Sequence, residues 1–209
     1  GGRFGWRDAL MRYVSNPEDY QTQIYWMDSD LMAIYDAYPK ARVHLLLIPL
    51  KHKIMSLDNL TGDPSHVRLI EDMQRRGIWL IERLREHNPE LKHGQVHMGF
   101  HAIPSLRLVH MHLISDDFDS PCLKNKKHWN SFTTDFFIKP SEVIEALKDT
   151  GRFHPDERHF TEILRMPLKC HRCGETQSLM PKLKAHIARC TGERGWATRQ
   201  ALKRRESSI

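Results

Sequence analysis

A pattern of cysteines and one histidine near the C-terminus places the strongest constraint on how this chain folds. Cys170 and Cys173 are separated by two residues, and after twelve further residues His186 and Cys190 follow with three residues between them. The first pair suits a turn or hairpin, and residues four apart lie on one face of a helix. Three thiolates and one imidazole complete a closed tetrahedral site, which is typical of structural zinc. The spacing predicts a C2HC zinc finger, with chance clustering as the alternative.

The rest of the sequence has the composition of a soluble globular protein. The chain has 209 residues, 40% of them hydrophobic, which permits one domain with a full core and one small appended unit. Its longest apolar run, residues 43–50, is too short to span a bilayer, and no secretory signal is visible, so we expect no membrane partner. This context favours metal over disulfides, and Cys122 is expected to be a reduced thiol. Because the chain begins with Gly-Gly, we expect it to be a fragment.

Hydrophobic periodicity predicts an α+β domain upstream of the finger. The predicted order is β-β-β-α-β-β, which suits helices packed against an antiparallel sheet. We expect a main domain over 1–150, a linker with a short helix over 151–167, and the finger with a basic tail over 168–209. The predicted helices cover 5–14, 66–86 and a segment after Pro140, and the predicted strands lie near 23–26, 31–35, 42–48, 96–102 and 107–115.

Two histidines alternate on the last predicted strand, which contains Leu108-Val109-His110-Met111-His112. Because residues two apart on a strand point to one face, we expect His110 and His112 to share a face with Leu108, while the intervening residues turn to the core. Paired imidazoles suit a phosphate site, since their nitrogens can attack, donate or accept. The alternatives are ordinary buried or surface histidines, and a metal pair that lacks an evident third ligand.

Three further segments resemble a known enzyme family. The sequence YDAYPKARVHLLLIP at 35–49 resembles the upstream signature of histidine-triad nucleotide hydrolases. GFHAIPS at 99–105 and ISDDFDSPCLKNKKHWNSF at 114–132 narrow this resemblance to the aprataxin branch, and it extends from about Trp6 to Cys190. The resemblance implies a histidine-triad antiparallel sheet with flanking helices, fused to a small C2HC zinc finger. It also implies a DNA-repair hydrolase that removes AMP from 5′-adenylated DNA ends, left by abortive ligation, through a covalent histidine–AMP intermediate.

The resemblance assigns the nucleophile to one histidine. In this family the middle of three alternating histidines attacks phosphorus, and that position is His110 here. The first position of the triad is Leu108 instead of histidine. We therefore expect a backbone carbonyl to hold the second ring nitrogen of His110.

Further pocket residues follow from the same resemblance. We expect His44 to donate a proton or to stabilise charge on the leaving side. Asp36 is predicted to bind the ribose hydroxyls, with a turn-forming role as the alternative. The residues predicted to hold phosphate oxygens are His112, Ser105 and His101. The remaining predicted substrate contacts are Lys40, which adds positive charge, and Met98.

Basic and aromatic residues predict a surface for DNA. The net charge is +6, and the segment from Arg165 onward holds eleven lysines and arginines against three glutamates. The basic loop at 124–129 also carries an aromatic residue, which suits a phosphate backbone beside an exposed base. A solvated charged face is the alternative for these charges, and core packing is the alternative to a DNA wedge for Trp6. The predicted DNA contacts are Phe4, Trp6, Lys124, Lys126, Lys127, His128, Lys182 and Lys184.

These expectations define one main function and three alternatives. We expect a monomeric nuclear enzyme that acts on nicked or broken DNA bearing 5′-AMP and releases AMP, with structural Zn²⁺ and no catalytic metal. A general histidine-triad hydrolase of small adenylates would leave the finger unexplained. A non-catalytic nucleic-acid-binding zinc protein would leave the nucleotide-pocket signature unexplained. A protein weakened by Leu108 would bind adenylated ends without turnover.

Overall fold

A six-stranded antiparallel sheet forms the centre of the molecule. The structure is a computed structural model, and it describes residues 5–92 and 95–192. The strands of the sheet are β1 (Ile24–Met27), β2 (Leu31–Tyr35), β3 (His44–Pro49), β4 (Val96–His101), β5 (Met111–Ser115) and β6 (Phe137–Ile138). They lie in the order β1-β2-β3-β5-β4-β6, and every neighbouring pair is antiparallel. The predicted α+β class is confirmed.

Helices flank the sheet, and a two-stranded hairpin follows them. The helices are α1 (Ala9–Ser15), α2 (Pro64–His87), α3 (Lys126–Thr133), α4 (Pro140–Thr150), α5 (Glu157–Ile163) and α6 (Met180–Ile187). The hairpin strands are β7 (Leu168–Lys169) and β8 (Thr176–Gln177). Helix α5 lies in the segment predicted to be a linker with a short helix. Within the described residues, no helix combines the length and apolar character needed to cross a bilayer.

Helix α2 covers one face of the sheet. Its first turn is capped by Asp63, whose side chain accepts a hydrogen bond from the backbone of Ser65. Its buried residues pack in one hydrophobic cluster with Met111 and other residues of the central strands. A Cβ atom at Gly77 would lie only 2.7 Å from Cε of Met111, so the glycine allows the helix to approach the sheet closely. The predicted long helix and its buried face are confirmed.

The opposite face carries the histidines and a second hydrophobic cluster. This cluster runs without a break from the main domain into the finger, because Phe118 and Trp129 pack with Leu183 and Ile187 of α6. The indole Nε1 of Trp129 also donates to the carbonyl of Lys169 at 2.9 Å. The zinc finger is therefore anchored on the same side of the sheet as the histidines.

Two predicted elements differ from the observed ones. The strand predicted over 107–115 begins only at Met111, because Leu108 adopts a left-handed conformation with φ of 74° that interrupts the extended chain. The basic segment predicted to be a loop instead begins helix α3, since the side chain of Asn125 caps the backbone of His128 at 2.9 Å.

Candidate active site and zinc centre

Four histidines converge on the sheet face opposite α2. His44 begins β3, His101 ends β4, and His110 and His112 precede and lie within β5. The ring centroid of His112 is 4.2 Å from that of His101, 5.1 Å from that of His110 and 5.2 Å from that of His44. His44, His110 and His112 are 3–6% exposed. The structure thus brings together the four histidines that the sequence singled out.

The ring of His110 is held by the main chain. Its Nδ1 lies 2.7 Å from the carbonyl oxygen of Leu108. A carbonyl only accepts, so Nδ1 carries the proton and the lone pair of the neutral ring resides on Nε2. The prediction that a backbone carbonyl orients His110 in place of a first triad histidine is confirmed.

A second chain of hydrogen bonds orders His44 and His112. The backbone N–H of Lys40 donates to Nδ1 of His44 at 3.0 Å, so the neutral His44 ring carries its proton on Nε2. This Nε2 lies 2.9 Å from Nδ1 of His112 and donates to it. His112 therefore carries its own proton on Nε2, a buried atom with no hydrogen-bond partner among the described residues. This series of hydrogen bonds leaves the Nε2–H of His112 available for an oxygen of a bound ligand.

Burial keeps these rings neutral. Desolvation lowers the pKa of His44 to about 4, although the nearby carboxylate of Asp36 opposes the shift. Desolvation likewise lowers the pKa of His110 below the usual histidine value, and places the pKa of His101 and His112 well below it. The imidazoles are therefore uncharged near pH 7. Two nearby charges act on His44: the carboxylate of Asp36 raises its pKa, and the ammonium of Lys40 lowers it.

The position of Asp36 is compatible with both roles considered from the sequence, which are ribose binding and turn formation. One carboxylate oxygen accepts from the backbone of Tyr38 at 2.7 Å and forms a turn. The other lies 3.6 Å from Nε2 of His44, and the side chain is 16% exposed. Asp36, His44 and His112 also form a group of potential metal ligands that the sequence did not reveal. However, the 2.9 Å between the two ring nitrogens is a hydrogen-bond distance, shorter than the roughly 3.3 Å between two nitrogens on one tetrahedral zinc ion.

One predicted substrate contact, Met98, lies on the sheet face opposite the histidine cluster. Met98 is paired with Leu113 across β4 and β5 and packs against the core under α2. Its prediction as a substrate contact is wrong, because alternation along β4 sends its side chain to the opposite face. Ser105 is exposed in the loop after β4, where its carbonyl accepts from Nε of Arg7 at 3.4 Å.

Two phenylalanines that pack against the histidine cluster were not identified from the sequence. The ring of Phe132 lies 4.6 Å from that of His101 and 5.3 Å from that of His44. Phe137 packs beside them because Gly99 leaves space, and a Cβ atom there would lie 2.8 Å from the Phe137 ring. These residues lie far from His110 in sequence, so the spacing of the histidines gives no signal of them.

Trp6, which was predicted to act as a wedge in DNA, is exposed on the surface. It is 69% exposed, which rules out the core-packing alternative for this residue, and the guanidinium of Arg7 lies 5.7 Å from its ring centroid. Leu10, one turn further along, is buried. Phe4 and the basic tail beyond residue 192 lie outside the described residues.

The predicted DNA-contacting lysines fall into two groups. Lys124, Lys126, Lys127 and Lys182 are exposed, as a phosphate-binding surface requires, and His128 is half-buried. Lys184 is half-buried and donates through Nζ to the carbonyl of Ser120 at 2.7 Å. Trp129, the aromatic residue of the basic segment, is 1% exposed. The expectation that this aromatic residue lies beside an exposed base of the DNA is therefore wrong.

The four predicted zinc ligands converge at the finger. Their ligand atoms all lie within 4.8 Å of one another. Sγ of Cys170 is 3.8 Å from Sγ of Cys190, and Sγ of Cys173 is 3.2 Å from Nε2 of His186. Two thiolates at about 2.3 Å from one tetrahedral zinc ion stand about 3.8 Å apart, so the residues fit the metal. His171 is not among these ligands; its buried ring packs against Phe118 and Trp129.

Two family models match successive parts of the chain. Residues 10–128 match the family described as scavenger mRNA decapping enzyme C-term binding. Residues 133–192 match the C2HE / C2H2 / C2HC zinc-binding finger, in which the last ligand varies. The finger match and the geometry together establish Cys170, Cys173, His186 and Cys190 as a structural zinc site.

Several proteins similar to this chain are named aprataxin or aprataxin-like. Aprataxin of Danio rerio is 43% identical over 182 residues, covering 87% of this chain and 52% of the relative. The aprataxin-like protein of Schizosaccharomyces pombe is 32% identical over 192 residues, covering 87% of this chain and 79% of the relative. The crystal structure of the aprataxin ortholog Hnt3 in complex with DNA superposes with a TM-score of 0.70 at 29% identity, covering 88% of this chain and 94% of that one. The chain spans about half the length of the vertebrate aprataxins it matches.

Proposed function

The chain belongs to the aprataxin family, and we propose that it is a DNA-repair hydrolase that removes AMP from 5′-adenylated DNA ends. The observation that carries this proposal is the bond between Nδ1 of His110 and the carbonyl of Leu108. It leaves Nε2 of a neutral imidazole as a nucleophile in a pocket lined by further neutral histidines.

The proposed reaction has two displacements at the AMP phosphorus. Nε2 of His110 first attacks this phosphorus, and the bond to the bridging oxygen of the DNA 5′-phosphate breaks. The carbonyl of Leu108 accepts from Nδ1–H and stabilises the positive charge that develops on the ring. Water then attacks the same phosphorus, and the P–N bond breaks with its electron pair returning to His110. The water proton passes to solvent, and the products are AMP and a DNA 5′-phosphate.

The other histidines act on the phosphate oxygens in different ways. His112 offers its Nε2–H to an oxygen that gains charge in the transition state, and His101 presents a second buried Nε2 beside it. His44 does not fit its predicted role as a proton donor to the leaving group, since both of its ring nitrogens already have partners. We assign it a positioning role, in which it holds the tautomer of His112.

We propose that Trp6 and the exposed lysines of α3 and the finger form the surface that binds DNA. An exposed indole can stack on a terminal base pair, and lysines neutralise phosphates. A relative of this chain has been solved in complex with DNA, which supports this assignment. The finger contributes a zinc site closed by four protein ligands, so its metal serves structure. We further propose that the protein acts in the nucleus as a monomer.

A strand-resolved assay on nicked DNA carrying a 5′-adenylate tests the proposal. The intact protein is expected to release AMP and leave a 5′-phosphate, and the His110→Ala variant is expected to do neither while still binding the nick. Release of AMP from a small adenylate but not from the nick would favour a general nucleotide hydrolase. An intact protein that binds the nick without any turnover would overturn the enzymatic proposal.

A further inference from the structure

Hydrogen bonds connect the zinc finger, through Ser120, to the peptide group between Pro39 and Lys40. We infer that Lys184 and Ser120 are positioning residues, which hold the Pro39–Lys40 peptide and thereby select the tautomer of His112. This inference rests on the proposed adenylate chemistry for its consequence, but its geometry is independent of the substrate. It gives the finger a role in catalysis in addition to binding DNA.

The first link joins the finger to the segment after β5. Nζ of Lys184 donates to the carbonyl of Ser120 at 2.7 Å, and the lysine is half-buried. Its neighbours Leu183 and Ile187 are buried in the cluster that contains Phe118, which fixes α6 against this segment. Lys184 is thus directed into the main domain, whereas the nearby Lys182 is exposed.

The second link joins Ser120 to the loop between β2 and β3 (residues 36–43), which we call the nucleotide loop. Ser120 is 5% exposed, and its hydroxyl has one proton to donate. Its Oγ lies 2.5 Å from the carbonyl of Pro39 and 3.1 Å from the backbone nitrogen of Cys122. The Cys122 N–H must donate to Oγ, and the carbonyl only accepts, so the hydroxyl proton is directed to Pro39.

The third link passes through the plane of the Pro39–Lys40 peptide. A trans peptide is planar, and its C=O and N–H point in opposite directions, so holding the carbonyl also sets the direction of the N–H. The Lys40 N–H donates to Nδ1 of His44, and Nε2 of His44 donates to Nδ1 of His112. The first bond requires this peptide orientation, and the first bond in turn fixes which ring donates in the second. If the peptide turns away, His44 can take the other tautomer, and His112 then no longer carries its proton on Nε2.

Other bonds place the same segment against the nucleotide loop. The backbone N–H of Arg42 donates to the carboxylate of Asp117 at 3.0 Å, and its side chain pairs with Asp119 at 2.8 Å. These two bonds involve exposed groups, whereas the Ser120 hydroxyl is buried. Ser120 is therefore the contact that sets the peptide orientation, and Lys184 sets the position of Ser120.

Substitution of Lys184 in the zinc-loaded protein tests the inference. The substrate is an adenosine 5′-phosphoramidate, which carries no DNA, so that loss of a DNA contact has no effect on the readout. Lys184→Met is expected to lower kcat about tenfold with little change in KM, because the His112 donor acts on the transition state. Lys184→Arg is expected to recover part of the loss. The matched control is Lys169→Met, which removes an exposed lysine from the same finger and is expected to change kcat less than twofold.

Two further measurements keep the outcome decisive. Histidine ¹⁵N shifts of the intact protein report ring tautomers without turnover, and Lys184→Met is expected to give a tautomer mixture at His44 and His112. If the variant loses zinc, Ser120→Ala, which lies outside the finger, should give the same kcat and ¹⁵N effects with zinc retained. A zinc-loaded Lys184→Met with unchanged kcat and unchanged ¹⁵N shifts would overturn the inference. A wild-type protein inert on both phosphoramidate and adenylated DNA would instead contradict the proposed function, and the ¹⁵N shifts would still decide the inference.

Discussion

The carbonyl oxygen of Leu108 lies 2.7 Å from Nδ1 of His110, and the side chain of Leu108 takes no part in this contact. The leucine is instead buried in a hydrophobic cluster with Leu10, Met32 and neighbouring residues. The orientation of His110, the proposed nucleophile, therefore depends on the backbone conformation at position 108, where φ is 74°. A hydrophobic residue at the first triad position is compatible with an oriented His110 ring.

Replacing Leu108 by histidine is expected to change kcat on adenylated nicked DNA by less than about threefold, because the main chain already orients His110. Burying an imidazole in the apolar cluster is expected to cost about 1–3 kcal/mol of stability. Steady-state kinetics and urea unfolding measure the two effects. A gain of tenfold or more in kcat would show that Leu108 weakens the enzyme.

Acid is expected to destabilise the fold through the histidine cluster. Burial places the folded-state pKa of His44 at about 4 and lowers those of His101, His110 and His112, all below the unfolded value of about 6.5. The unfolded chain therefore binds more protons between about pH 6.5 and 4, and stability falls as pH falls through this window. Each such group contributes up to about 1.4 kcal/mol per pH unit.

Urea unfolding at pH 7.5, 6.0 and 5.0 measures this slope. His44→Gln removes one of the titrating groups and is expected to give a shallower dependence than the wild type. Equal stability at pH 7.5 and pH 5.0 would contradict the assignment of a neutral, buried cluster.

The two amide replacements of His44 separate its two hydrogen bonds. Gln can place a donor near the position of Nε2 and preserve the bond to His112, whereas Asn can only preserve an acceptor near Nδ1 for Lys40. We expect His44→Gln to lose less than about tenfold in kcat and His44→Asn to lose about a hundredfold. Equal losses in the two variants would argue that His44 acts by transferring a proton and not by positioning His112.

Zinc removal is expected to slow hydrolysis of a small adenylate as well as to weaken DNA binding. Without metal, the ligands no longer hold α6, and the contact between Lys184 and Ser120 is lost with it. The kcat for a phosphoramidate, measured before and after chelation and after zinc is restored, checks this expectation. Full activity in the chelated protein would confine the finger to DNA binding.

Local patterns in the sequence predict much of this molecule. The apolar period of α2 and the extended run of β2 depend on neighbouring residues alone, and both elements lie where the periodicity places them. The zinc ligands follow from spacing, because a tetrahedral site closed by two short motifs requires little information from the rest of the fold. The backbone contact to His110 also follows locally, since its partner lies two residues away.

Features that depend on register or on distant contacts were not predictable in this way. Met98 was assigned to the pocket, but its face is set by the pairing of β4 with β5. Lys184 was assigned to DNA from its charge, although its ammonium binds a carbonyl 64 residues away in sequence. The bond between His44 and His112 joins residues 68 positions apart and became visible only in the folded chain.

Trapping the covalent intermediate tests the central claim most directly. The protein is mixed with adenylated nicked DNA, quenched in alkali to preserve a phosphoramidate, digested and analysed by mass spectrometry. We predict one AMP group on the peptide that contains His110, located on that residue by fragmentation, and no adduct in His110→Ala. An adduct on another residue, or AMP release by His110→Ala at the wild-type rate, would contradict the proposed mechanism.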